Sequence, residues 1–165
     1  MALRIFLSYS TVDNAVARVI WERLRASQHL VFYAEQNLPL AARIPPALEQ
    51  HIKQCDVFIV LWSSAAKNSE WVSQEIGIAH GSQRVILPVI LEKDLEPPGF
   101  IADRKYLPAY EEFQRALAFL DDALRAYAQN KQNREAALQK KQNDEAALLL
   151  LGIASIVLLA MASSG

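Results

Sequence analysis

The residues best suited to chemistry fall on one short stretch, Ser69, Trp71 and Glu75 within SEWVSQEIGIAHG. At helical spacing Val72, Ile76 and Ala79 form an apolar stripe, and Trp71, Glu75 and Ile78 lie beside it at intervals of four and three. Glu75 is therefore a carboxylate at the border of a buried face, between an indole and an isoleucine. An ordinary solvated glutamate would sit on the opposite side with Ser73 and Gln74. The plainer alternative for Glu75 is a charge favoured by the dipole of a helix N-terminus. Ser69 is expected to cap that helix rather than to bind a ligand. Other polar side chains follow apolar runs: Ser8, Ser10 and Asp13 after RIFLSY, Glu35 after HLVFYA, and Ser63 and Ser64 after DVFIVLW.

Several chemistries have no motif here. There is no G-x-G-x-x-G, no G-x-x-x-x-G-K-[ST] and no G-x-S-x-G, so the usual dinucleotide loop, phosphate loop and nucleophile elbow are missing. Three scattered histidines (His29, His51, His80) and the single Cys55 give no zinc spacing, and no metal is expected. His51 and Cys55 are four apart and read as a surface histidine near a buried thiol. With 17 Lys plus Arg against 18 Asp plus Glu, bulk charge gives no reason to expect nucleic acid as a partner. A composition 52% hydrophobic and 21% charged suits a packed core and excludes a disordered chain.

The elements that must position these residues alternate along the chain. RIFLSY, HLVFYA, DVFIVLW and RVILPVIL are short runs rich in β-branched and aromatic residues and read as strands. Between the first two, Val12, Ala15, Val16, Val19, Ile20 and Leu24 recur at three and four and predict a helix capped by Asp13 or Thr11. A second helix is expected from Pro45 or Pro46, turning Leu48, Ile52 and Cys55 inward. A third begins near Asn68 or Ser69, and Glu111 to Gln129 forms a last helix with Phe113, Leu117, Leu120 and Leu124 on one face. This α/β alternation implies an open parallel sheet flanked by helices, with ligands bound outside the carboxyl ends of its strands.

Beyond residue 129 the character changes. KQNREAAL (Lys131 to Leu138) recurs as KQNDEAAL (Lys141 to Leu148), and residues 130–145 read as a solvated helical stalk. Ala146 to Ala162 carries no charge and would span about 25 Å as a helix. Lys131, Arg134, Lys140 and Lys141 precede it, and the N-terminus lacks the pattern of a secretory signal. The expectation is a C-terminal membrane anchor with the domain of residues 1–129 in the cytoplasm. A helix buried in an oligomer core is the alternative.

The segments IFLSYSTVD, EQNLPLAARI and IVLWSSAAKNSEWVSQEI, in that order and spacing, resemble the Toll/interleukin-1 receptor (TIR) domain family in its bacterial form, over about residues 1–129. Ser69, Trp71 and Glu75 after the third strand are the specific part of the likeness. The resemblance implies a flavodoxin-like fold and cleavage of NAD, as substrate rather than cofactor, at the nicotinamide ribosyl bond, with Glu75 as the catalytic residue. Nicotinamide leaves a pyridinium as a neutral molecule, so the second carboxylate of an ordinary glycosidase is not required. Glu75 would hydrogen-bond ribose hydroxyls and stabilise positive charge at the anomeric carbon. Trp71 would support the pocket wall, Ser8 and Ser10 would contact the ligand, and Arg43 would meet a pyrophosphate. The family usually has a glycine after the acidic residue of the second loop, where this chain has Ala41 and Ala42. The same resemblance implies self-association through TIR domains and a role in bacterial antiviral defence, giving nicotinamide with ADP-ribose or a cyclic isomer. Its alternative is a TIR scaffold without chemistry.

Overall fold

The computed structural model describes residues 1–33, 46–101 and 105–162, with side chains for all of these except residues 100 and 150–162. The chain divides into two compact units, Ala2–Arg125 and Ala126–Gly165 together with Met1.

The first unit is built on a sheet of five parallel strands: β1 (Arg4–Ser8), β2 (Leu30–Tyr33), β3 (Val57–Trp62), β4 (Val85–Ile90) and β5 (Leu107–Pro108). The alternation implied an open parallel sheet, and the strand order, β2-β1-β3-β4-β5, is the flavodoxin-like one that the resemblance implies. Four of the strands coincide with the four apolar runs. The two-residue β5 was not anticipated, because two residues carry no period to read. β3 lies at the centre and is buried at every position, which explains why VFIVLW shows no polar alternation.

Helices cover both faces. Phe6, Phe58, Val60 and Trp62 form one core with Leu48 and Ile52 of α2 (Pro46–Gln54) and Val72, Ile76 and Ala79 of α4 (Glu70–Gly81). Across that face Phe32, Phe6 and Phe58 stack in register from three adjacent strands, with centroid separations of 5.5 and 5.4 Å. Phe6 and Phe58, both fully buried, each contribute roughly 1.5–3 kcal/mol by leaving water. The alternate residues Ile5, Leu7, Ile59 and Leu61 are buried on the opposite face. There α1 (Asn14–Ala26) and the start of α5 (Phe113–Ala162) are joined by an ion pair, Arg23 to Asp121 at 2.7 Å. Leu117, Leu120 and Leu124 are buried as expected, and Phe113 is half-buried.

The first helix needs two corrections. Its buried residues are Ala17, Ile20 and Leu24, whereas Val12 and Val19 are exposed, Val12 because it belongs to a 3-10 turn (Thr11–Asp13) that breaks the α period. Asp13 is the N-cap residue, yet its side chain makes no capping bond and is engaged elsewhere. A further helical turn, α3 (Ser64–Lys67), follows β3 unanticipated, capped by Ser63, whose Oγ accepts from Ala66 N–H at 3.0 Å. At the ends of α1 and α4, Gln28 (φ 62°) and Gln83 (φ 55°) take the left-handed conformation that glycine favours, so that His29 N–H reaches Leu24 C=O and Arg84 N–H reaches Ala79 C=O.

In the second unit the backbone of α5 is helical through Ala162. The duplicated sequence repeats its contacts as well: Lys131 pairs with Glu135 and Lys141 with Glu145, while Gln129 bonds Asn133 and Gln139 bonds Asn143. Such pairs one turn apart contribute about 0.2–0.5 kcal/mol each to a solvated helix. Among the described residues no helix is long and apolar enough to cross a membrane, so the expected spanning segment gains no support from the structure. Most of Ala146–Ala162, from Leu150 onward, has its side chains outside the described residues.

Candidate active site

Alternation along β1 turns Ser8 to the same face as Phe6, toward α4. On α4 the side chain that meets it is Glu75. Ser8 Oγ donates to Glu75 Oε2 at 2.5 Å, and both residues are fully buried. Sequence alone places Glu75 at the border of the apolar face. In the structure it sits within that face, beside Val72, Ile76 and Ala79. A carboxylate is tolerated there because hydrogen bonds to it are charge-assisted and stronger than neutral ones. Trp71, one turn before Glu75, is half-buried at the helix start, and Ser69 caps the helix by accepting from Val72 N–H at 3.3 Å, as expected.

Ser10 is also buried, at the head of the 3-10 turn, where its carbonyl accepts from Asp13 N–H at 2.8 Å. Its side chain has no described bond to Glu75. Arg43, Glu35, Ala41 and Ala42 lie outside the described residues.

Two pairs that sequence reasoning did not connect join the strand ends. Ser63 Oγ donates to Asp13 Oδ2 at 2.6 Å, tying the loop after β1 to the end of β3. The backbone N–H of Ser64 donates to Glu92 Oε1 at 2.8 Å and its hydroxyl to Glu92 Oε2, tying β3 to the loop after β4. Burial pushes the Asp13 carboxyl above its ordinary range against the lowering effect of the Ser63 hydroxyl. The two Ser64 donors hold Glu92 below its ordinary range. Ser63 and Ser64 were legible as strand-end serines, but Glu92 follows RVILPVIL with no local signal to separate it from a surface charge.

Among the described residues no trio of histidine, cysteine or carboxylate side chains is placed to hold a metal. His51 is exposed and stacks on Phe32 at 3.9 Å, while Cys55 is buried and its thiol is pushed up to about 11 by that burial, in keeping with a surface histidine near a buried thiol. The site is therefore a buried hydroxyl–carboxylate pair at the carboxyl end of β1. Hydrogen-bonded serines and acids brace the neighbouring strand ends.

The family model described as TIR domain matches residues 5–121. The chain belongs to the TIR domain family. The TIR domain here is 27% identical over 120 residues to a protein of Brachypodium distachyon named probable 2′ cyclic ADP-D-ribose synthase BdTIR, a match covering 68% of this chain and 54% of that one. The chain thus spans about half the length of that relative. Among solved structures it is similar to the TIR domain of the Toll-related receptor TRR-2 of Hydra magnipapillata, with a TM-score of 0.61 at 16% identity, covering 77% of this chain and 99% of that one. A metazoan TIR-STING receptor from C. gigas gives a TM-score of 0.51 at 20% identity over 70% of this chain and 40% of that one. Both likenesses concern the fold. These relatives come from a plant and from animals, so the bacterial form in the resemblance gains no support from them.

Proposed function

We propose that this TIR domain cleaves NAD at the nicotinamide ribosyl bond, with Glu75 as the catalytic residue. The observation that carries the reading is the buried Ser8–Glu75 pair at the carboxyl end of the sheet. Similarity to a plant protein named as a cyclic ADP-ribose synthase supports it. In the reaction the bond from the anomeric carbon to the pyridinium nitrogen breaks and its electron pair stays on that nitrogen, so nicotinamide leaves neutral without a proton. The anomeric carbon then gains a bond to water oxygen, with loss of one proton, or to a nucleophile of the ADP-ribose moiety, which gives a cyclic product.

Glu75 acts by charge. Its Oε2 already accepts from a hydroxyl, and a ribose hydroxyl is the same kind of donor, so substrate exchanges with Ser8 one O–H···O bond for another. The positive charge that develops at the anomeric carbon is then stabilised in surroundings of low polarity. Ser8 and Ser10 line the strand end, Trp71 limits water, and Arg43 meets the pyrophosphate. Self-association of TIR domains, a defence role and a cytoplasmic domain on a C-terminal anchor belong to the same reading. The test is NAD turnover by the purified full chain, with products separated by chromatography, beside Glu75→Gln. Release of nicotinamide by the wild type and its loss in the variant are expected. No turnover by the wild type, even when clustered on a surface, would leave the scaffold reading in its place.

A further inference from the structure

We propose that the cleft along the outer edge of β2 binds a small anion bearing a flat ring, of the nucleoside monophosphate class. This inference stands independently of NAD cleavage. Among the described residues β2 pairs with β1 alone. The cleft beside it measures about 720 Å³, within the range of small-molecule sites. It lies toward the amino ends of the strands, reaching Ile5 of β1, whereas Ser8 and Glu75 meet at the carboxyl end.

Its walls come from opposite faces of the sheet. On one side the Arg25 guanidinium lies 4.8 Å from the centre of the Trp21 ring, and on the other His51 stacks on Phe32 at 3.9 Å with 17° between the planes. Trp21, Phe32 and His51 give the cleft an aromatic lining on both sides, with Phe32 itself stacked on His51 and Phe6. Among the described residues no aspartate or glutamate lines the cleft. Arg25 engages no carboxylate among the described residues, and its planar fork of donors suits a phosphate. His29 accepts from Leu3 N–H at Nδ1, 3.3 Å away, which leaves the proton on Nε2 and adds a donor. Gln54 supplies an amide for the ring edge. Cation, donors and ring faces without a carboxylate select an aromatic anion over a neutral or cationic ligand.

The experiment is calorimetric titration of the full chain with AMP, adenosine, inorganic phosphate and hexaglutamate. AMP is expected to saturate and to bind more tightly than adenosine or phosphate. Arg25→Gln and His51→Ala, both exposed and so compatible with folding, should each weaken AMP about tenfold at an unchanged melting temperature. Glu75→Gln should leave AMP binding unaltered. Four results overturn the proposal: no saturation at millimolar AMP, AMP affinity indifferent to Arg25 and His51, AMP binding abolished by Glu75→Gln, or hexaglutamate binding through Arg25 in place of AMP. None of these depends on whether NAD is cleaved.

Discussion

Ser8 and Glu75, 67 residues apart in the chain, share a 2.5 Å hydrogen bond in a setting from which water is excluded. The serine is the last residue of β1 and the glutamate lies in the second turn of α4, so the bond locks the strand end to the helix. Ser8→Ala removes one partner of a buried carboxylate and should lower stability by about 1–3 kcal/mol. Glu75→Gln keeps an acceptor for Ser8 while removing the charge. It is expected to stay folded and to lose about a hundredfold or more in NAD turnover. The pair is checked by a double-mutant cycle of thermal melts. Strictly additive effects of Ser8→Ala and Glu75→Ala would deny the coupling.

The two braced acids predict opposite responses to pH. Asp13 has a raised folded value, so the folded state holds its proton more tightly than the unfolded chain. Its stabilising contribution is complete below the ordinary value of 3.8 and is lost as pH rises through the raised one. Glu92 has a depressed folded value, so its contribution is complete above the ordinary 4.5 and is lost as pH falls through the depressed one. Melting curves from pH 3 to 7 should show wild type losing ground to Asp13→Asn as pH rises and gaining on Glu92→Gln. Parallel profiles for all three proteins would contradict both assignments.

Cys55 should be inert in the folded protein. Its thiol, buried and pushed up to about 11 from 9.0, carries almost no thiolate at pH 8. Iodoacetamide is therefore expected to modify it only in denaturant, as read by intact mass. Rapid labelling of native protein would show that the residue opens to solvent.

Gln83 holds φ at 55° to close the end of α4. Left-handed backbone costs a side chain about 1 kcal/mol that glycine does not incur. Gln83→Gly should raise the denaturant midpoint at an unchanged slope, and a lower midpoint would mean that the side chain contributes more than the strain costs.

The tail bears on location and assembly together. With an anchor, full-length protein sediments with membranes and resists carbonate extraction, while a chain ending at Gln129 does not. Confinement to a surface would then raise the specific activity of full-length protein by raising local concentration. Recovery of the full chain as a discrete soluble oligomer would favour the helix buried between subunits.

The elements and their class are legible in the residues alone. RIFLSY, DVFIVLW and RVILPVIL are long enough in β-branched and aromatic residues to be strands wherever they pack, and the stripe Val72, Ile76, Ala79 defines a helix through local periodicity alone. Glu75 stands out because it is a carboxylate at the border of that stripe. What that carboxylate meets depends on how the strands and helices pack. The partner of Glu75 is set by β1 lying beside β3 with Ser8 facing α4, and the partners of Asp13 and Ser64 by the same strand order. A hydrogen bond between residues 28, 50 or 67 apart leaves no spacing in the chain, because it depends on which strands are neighbours and which way each side chain faces. For the same reason Asp13 read as a helix cap, the local role that its neighbours permit, until Ser63 was brought to its side.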